Sequence, residues 1–351
     1  MQSDGSVGNE LRKERKTAPM TIYDIARMAG VSASTVSRVI NDKPGIKPET
    51  RKKVQKLLKE YNYIPNENAR GLVTKVSKLI GILVGDIRNI HHTTLAYVVE
   101  QYLRDKEYCI IIMNVGNDPQ VMAENIQVLE QRKVDGIIMI GSIFQNEVVG
   151  KAMQECGSEL PVVMCNGYIN LPNVYGVLVD EREGVCRCIE LLYKKGYRNI
   201  AFIGEQNTIS NRQKRSGYVS SLQELEDVAE PVMVEAIATA EDGYEVTEAL
   251  MKQYPKTDAI IYADDIVAAG GIRYCNETGI KIPEQVGIVG INNATYCEIT
   301  YPTLTSLDNR MAEMGLVAAT TLVDVLEGNE KPEKIMLFSK VIERGSTNRT
   351  L

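Results

Sequence analysis

From Leu79 onward, short runs dominated by Val and Ile alternate with longer segments whose apolar positions recur every three or four residues. The runs are LIGILV, YCIIIM, GIIMI, PVVMC, NIAFI, DAIIY and VGIVG. Apolar runs this short, separated by helical segments, predict parallel strands covered on both faces, as in open α/β sheets. Seven strands with their helices exceed one compact unit, so the pattern predicts two α/β subdomains, with the loop YINLPNVYG near residue 175 as the crossing between them. Ligands of such folds sit beyond the carboxyl ends of the strands. Two facing subdomains would therefore enclose a cleft.

Before Leu79 the pattern is purely helical. Thr21 can cap a helix with Ile22, Ile25 and Ala26 on one face, Gly30 supplies a turn that tolerates positive φ, and Ser32 caps a second helix. In that helix Val36, Val39 and Ile40 share one side and pack inward, which leaves Ser34, Thr35, Ser37, Arg38 and Asn41 facing out. Hydroxyls and amides bind phosphates, and a guanidinium can grip guanine O6 and N7, so this face suits the major groove. The pair reads as a helix-turn-helix. A third helix, with Pro48 in its first turn and Val54, Leu57, Leu58 and Tyr61 on one stripe, closes a small core; Lys47 stands where a capping Ser or Thr is usual. Lys52, Lys53, Lys56 and Lys59 read as a solvated face, the first of them within reach of a phosphate.

Charge sharpens this division. Residues 1–78 carry a net +8 and the remainder −14, which together give the −6 of the 351-residue chain. A small basic module that meets a polyanion thus precedes a larger acidic body. Apolar content, at 44%, is ordinary for a globular protein, and no run of about eighteen apolar residues exists to span a membrane. The polar first twenty residues lack a secretory pattern, and seven scattered cysteines suit reduced thiols, so a cytoplasmic location is expected. Cys186 and Cys188, with no His or second pair beside them, make poor zinc ligands; neither a metal nor a cofactor is implied. The segment NENARGLVTK predicts a linker helix capped by Asn66, with Ala69, Leu72 and Val73 on one side. It is too short to be stable alone, and Gly71 weakens it by about 1 kcal/mol relative to alanine.

TIYDIARMAGVSASTVSRVIN, then KPETRKKV, then YIPNENARGL, in this order and spacing, resemble the lactose/galactose repressor (LacI/GalR) family of transcription regulators, and the likeness runs from residue 21 to about 347. The head motifs are highly specific and the core motifs looser. The resemblance implies a three-helix helix-turn-helix head with a hinge helix, then a periplasmic-binding-protein-like core of parallel sheets in two subdomains. The chain would act as a homodimeric repressor on a pseudo-palindromic double-stranded DNA operator, controlled by a small polar, sugar-like effector in the cleft. A phosphorylated carrier protein, co-repressor of some relatives, is the alternative partner. The implied boundaries are a tail at 1–19, the head at 20–65, hinge and linker at 66–78, and an effector-binding and dimerisation core at 79–347. Within the core, one subdomain spans about 79–176 and 306–335, the other about 177–305 and 336–347.

Carried over residue by residue, the resemblance assigns DNA contact to Thr21, Tyr23, Ser32, Ala33, Ser34, Thr35, Ser37, Arg38 and Asn41 in the head, and to Asn66, Ala69, Arg70 and Leu72 in the hinge. Leu72 would wedge between base steps in the minor groove. Effector contact falls on His91, His92, Asn166, Arg212, Lys214, Asp264 and Asn292. Several depart from the family pattern: Asn166 replaces an aspartate, Lys214 an arginine with Arg212 and Arg215 beside it, and GINN replaces GFDD. An asparagine amide accepts one hydrogen bond and donates another where an aspartate accepts two, so these changes argue against a simple hexose while favouring a polar ligand. His91 and His92 lie in a predicted loop after the first core strand, where they could line the cleft and, near pH 6.5, sense protons.

Rival classes fare poorly. No G-x-G-x-x-G, phosphate-binding G-x-x-x-x-G-K-[ST] or G-x-S-x-G follows a predicted strand, which excludes the common nucleotide-dependent and hydrolytic enzymes. A solute-binding protein would need export and has no use for a basic head. Residues 348–351 carry no heptads, so no tetramerising coiled coil is expected there.

Overall fold

A computed structural model of the chain describes residues 20–63, 76–157, 159–204 and 208–349. The expected tail at 1–19 and the hinge residues Asn66, Ala69, Arg70 and Leu72 lie outside the described residues. The chain divides into two units, Met1–Ser77 and Lys78–Leu351.

In the first unit, helix α1 (Ile22–Ala29) begins at a capping box: the Asp24 amide donates to the Thr21 hydroxyl at 3.3 Å and the Thr21 amide to the Asp24 carboxylate at 3.2 Å. Gly30 ends it at φ 71°, a left-handed conformation that glycine adopts without penalty. Ser32 caps α2 (Ala33–Ile40) by accepting from the Thr35 amide at 3.2 Å. Helix α3 (Pro48–Glu60) starts at Lys47 without a side-chain cap. Ile25, Ala26, Ala29, Val36, Val39 and Val54 form the buried core, with Leu57 and Leu58 against it. Tyr61, expected on that stripe, is exposed. The helix ends at Glu60, the chain turns through Asn62 at φ 45°, and Tyr63 folds back to take the place, its amide donating to the Leu58 carbonyl at 2.9 Å.

The second unit holds two six-stranded sheets. In chain order its elements are β1 (Leu79–Val84), α4 (Ile90–Asp105), β2 (Cys109–Asn114), α5 (Pro119–Gln131), β3 (Gly136–Ile140), α6 (Glu147–Glu155), β4 (Val162–Cys165), β5 (Val174–Val179), α7 (Glu181–Lys194), β6 (Ile200–Gly204), α8 (Ile209–Gln223), β7 (Val232–Glu235), α9 (Ala240–Gln253), β8 (Ala259–Tyr262), α10 (Asp265–Thr278), β9 (Gly287–Ile291), α11 (Tyr296–Ile299), β10 (Thr305–Asp308), α12 (Met311–Leu326), β11 (Lys334–Leu337) and β12 (Lys340–Ile342). The first sheet runs β2-β1-β3-β4-β5-β11, all parallel; the second runs β7-β6-β8-β9-β10-β12, parallel except for β12 against β10. Each thus reverses its winding once, between β1 and β3 and between β6 and β8, the places where α/β sheets open a crevice.

All seven apolar runs are strands, and helices cover both faces of each sheet. Leu95, Val99 and Leu103 of α4 join Met314, Ala318 and Leu322 of α12 on one face of the first sheet, and Met122, Ile126 and Leu129 of α5 join Val149 and Met153 of α6 on the other. The second sheet lies between α7 with α8 and α9 with α10. Strand β2 departs from the expected two-sided burial, since as an edge strand it leaves Cys109, Ile112 and Asn114 exposed. The stretch expected as a crossing loop contains β5 instead. The chain passes from one sheet to the other at Asp180, then at Asn309 between β10 and α12, and again between β11 and β12. Boundaries at 176, 305 and 335 would cut β5, β10 and β11, so each crossing falls a few residues later than expected.

Candidate functional site

Two surfaces carry the residues singled out by sequence. On the head, Ser32, Ser34 and Arg38 are exposed and Ala33, Thr35 and Ser37 half-exposed along α2, while Thr21 and Tyr23 lie exposed at the start of α1. The Ser32 hydroxyl lies 2.7 Å from that of Ser34 and 2.9 Å from that of Thr35, so the three hydroxyls form one hydrogen-bonded cluster at the amino end of α2, where the helix dipole favours an anion. Arg38 donates through Nη2 to the Pro44 carbonyl at 2.9 Å and otherwise meets solvent. Asn41 does not face out as expected. It follows the last residue of α2 half-buried, and its Nδ2 donates at 2.9 Å to the Ser37 carbonyl, which also accepts from the Asn41 amide at 3.0 Å.

In the second unit a cavity of about 490 Å³ lies between the two sheets, lined from the loops that leave the carboxyl ends of β1, β3, β4, β6, β7, β8 and β9. It brings together His91, His92, Asn166, Lys214, Asp264 and Asn292. The two histidines lie not in a loop but in the first turn of α4, which Asn89 caps. His92 Nδ1 is 2.9 Å from the Asp86 carbonyl and 3.4 Å from the Asp86 amide; the shorter contact favours a proton on Nδ1, which leaves Nε2 as an acceptor. Burial, with His92 and Lys214 nearby, pushes His91 down to about 3, and burial lowers His92 as well against the pull of Asp86. Burial thus moves the titration of both rings below the pH 6.5 at which proton sensing was expected. Among the described residues the Nδ1 atom of His91 is buried without a hydrogen-bond partner.

Asp264 caps α10 by accepting from the Ile266 amide at 2.9 Å, and its other oxygen accepts from Asn292 Nδ2 at 3.1 Å. Asn292 in turn accepts from Asn309 Nδ2 at 3.2 Å, so a line of amides runs from the cavity to the second crossing. Burial raises the Asp264 carboxyl above its ordinary value, against the Ile266 amide and Lys214. Asn166 and Asn292 sit at φ 58° and 105°, a region that asparagine enters more readily than most non-glycine residues. The neighbouring acid Asp265 faces the interior, accepting from the Ala294 amide and the Ser306 hydroxyl, both at 2.7 Å, and burial pushes it up to about 7.

Arg212 does not join the site. Residues 211 and 214 share one side of α8 and line the cavity, whereas Arg212, a hundred degrees of helix turn from Asn211, is exposed. In its place stand residues that sequence did not single out. Glu181 is buried at the first position of α7, accepting from Asn166 Nδ2 at 3.0 Å and from the Ser210 hydroxyl, with Lys214 Nζ 3.8 Å away. Ser142, after β3, accepts from the Ser210 amide at 3.4 Å. An acid just past the apolar run VYGVLV was the available signal for Glu181, hidden because the first half of that run was taken for the end of a loop. Among the described residues no cluster of three His, Cys, Asp or Glu could hold a metal ion, and no helix is long and apolar enough to cross a membrane.

A helix-turn-helix followed by two parallel sheets around a polar cleft defines a DNA-binding regulator with an effector-binding body. Residues 21–66 match the family described as bacterial regulatory proteins, lacI family, and residues 189–347 the periplasmic binding protein-like domain. An HTH-type transcriptional regulator of Lachnoclostridium phytofermentans is 33% identical, covering 94% of this chain and all of the relative, and catabolite control protein A of Priestia megaterium is 31% identical over 92% and 98%. The Lac repressor dimer bound to operator and the anti-inducer ONPF has the same fold, with a TM-score of 0.85 at 22% identity over 94% of this chain and 99% of that one. The chain belongs to the LacI family of bacterial transcriptional regulators. It is a DNA-binding regulator and not an enzyme.

Proposed function

We propose that the protein is a homodimeric repressor whose affinity for a pseudo-palindromic operator is set by a small polar ligand in the cleft. The observation that carries the effector role is the convergence of His91, His92, Asn166, Lys214, Asp264 and Asn292 on one cavity of about 490 Å³, within the volume usual for small-molecule sites. Buried amides, hydroxyls and a carboxylate set among apolar walls from Ile90, Ile143, Ile237 and Ile266 suit a ligand that both donates and accepts hydrogen bonds and carries some apolar surface. On the head, Arg38 reads a base edge, the hydroxyls of Ser32, Ser34 and Thr35 and the start of α1 at Thr21 and Tyr23 hold phosphates, and the hinge residues Asn66, Ala69, Arg70 and Leu72 enter the minor groove. A basic head that works on DNA supports a cytoplasmic location.

Thermal-shift screening against sugars, nucleosides and phosphorylated metabolites, with a phosphorylated carrier protein as a parallel condition, tests the effector reading. A ligand should raise the midpoint of the parent, do so less in Asp264→Asn, and change operator affinity in an anisotropy titration. Operator affinity that answers to the carrier protein and to none of the compounds would replace the small ligand with a protein co-effector.

A further inference from the structure

Besides the two histidines, three acids and two bases line the cavity among the described residues: Asp86, Glu181 and Asp264, and Arg88 and Lys214. Arg88 is taken by Asp86, to which it donates through Nε and Nη2 at 3.0 and 2.8 Å. Lys214 is 6% exposed and Glu181 1%; the ammonium lies 3.8 Å from the carboxylate and donates to the Ala263 carbonyl at 3.2 Å. The backbone enforces this pairing. A Cβ on Gly217 would lie 2.4 Å from the Arg182 carbonyl, so the absence of a side chain there lets α8 settle on the first turn of α7 and bring Lys214 to Glu181. Among the described lining residues each cation thus has a carboxylate partner and Asp264 remains besides, so the buried part of the cleft offers an incoming anion no unmatched positive charge.

We propose that Glu181 sets the charge class of the ligand: by holding Lys214 it makes the cleft a site for an uncharged, hydrogen-bonding molecule and turns away phosphate esters and carboxylates. The inference rests on the cleft being the effector site. An anion reaching Lys214 would have to displace a buried carboxylate that also holds Asn166 from the other subdomain, and would leave that carboxylate uncompensated, which is strongly unfavourable. An uncharged ligand leaves the pair in place and uses the remaining amides, hydroxyls and the His92 acceptor.

Exchange of one oxygen for nitrogen tests this. In Glu181→Gln the side chain can still accept from Asn166, while Lys214 loses its counter-charge. Inorganic phosphate, titrated calorimetrically at constant ionic strength into the full-length protein, Glu181→Gln, Lys214→Met and the double variant, reads the charge of the cleft whether or not an effector has been found. Glu181→Gln should bind phosphate at least tenfold more tightly than the parent, and the double variant should lose that gain. A folded Glu181→Gln with no gain overturns the proposal. So does phosphate binding by the parent that disappears in Lys214→Met or Arg88→Met, a comparison that stands even if Glu181→Gln fails to fold. The effector reading fails differently, through ligands that stabilise the parent and Asp264→Asn alike.

Discussion

Restoring the family's acid at position 292 should injure this protein. Asn292 Nδ2 donates to Asp264 at 3.1 Å, and both side chains are buried. Asn292→Asp removes that charge-assisted hydrogen bond, a loss of about 1.5–3 kcal/mol, and sets two carboxylates against each other. At that separation two full charges would repel by about 5 kcal/mol at an effective dielectric of about 20, so the pair instead retains a proton and one folded-state pKa rises. The sign follows from linkage. The variant's folded state binds more protons than its unfolded state between the ordinary aspartate value and the raised one, so the deficit is largest above the raised pKa and shrinks as pH falls through it. Urea unfolding of parent and variant should give a difference of about 2–4 kcal/mol at pH 7.5 and a smaller one at pH 5.5. Stabilities within about 0.5 kcal/mol at both pH values would refute the account, because the amide contact would then carry no stability.

Three further outcomes are expected. Arg38→Ala should lose about 1–3 kcal/mol on the preferred operator and blur one base position in each half-site, as read by anisotropy against single-base variants; equal binding would remove Arg38 from base reading. Gly217→Ala gains up to about 1 kcal/mol of helix propensity but drives a methyl into the Arg182 carbonyl, and overpacking of about 1–3 kcal/mol should prevail, lowering the melting temperature; an unchanged or raised midpoint would mean that α8 can shift freely. Because His91 is held near 3 when folded and is ordinary when unfolded, the unfolded state binds the extra proton between about 3 and 6.5. Stability should therefore fall on acidification through that window by up to about 1.4 kcal/mol per pH unit, and His91→Gln should flatten the slope.

The head was legible almost to the atom because its signals are local: Thr21, Gly30 and Ser32 cap and turn through contacts within three residues, and Val36 with Val39 obeys the helical period. The central strands announced themselves as apolar runs since both faces are covered. Of the strands without this cover, β2 still reads as an apolar run, whereas β7 and β10 left no such mark. VMVE of β7 alternates at a sheet edge, and TSLD of β10 buries Thr305 and Ser306 through hydrogen bonds rather than apolar contact. At the cleft, residues one at a time were readable and their pairings were not. That Lys214 rather than Arg212 turns inward follows from the phase of α8, and that it meets Glu181 depends on a close helix approach at Gly217.

The three crossings between the sheets bear on how the molecule is made. The subdomain that starts with β1 is completed only by α12 and β11, near the end of the chain: Met314, Ala318 and Leu322 fill one of its two cores, and β11 extends its sheet beyond β5. During synthesis the second sheet through β10 therefore emerges while the first still exposes the apolar groove that α12 will cover. The half that begins first closes last, and a ribosome stalled before Met311 holds a chain with one sheet lacking its lid.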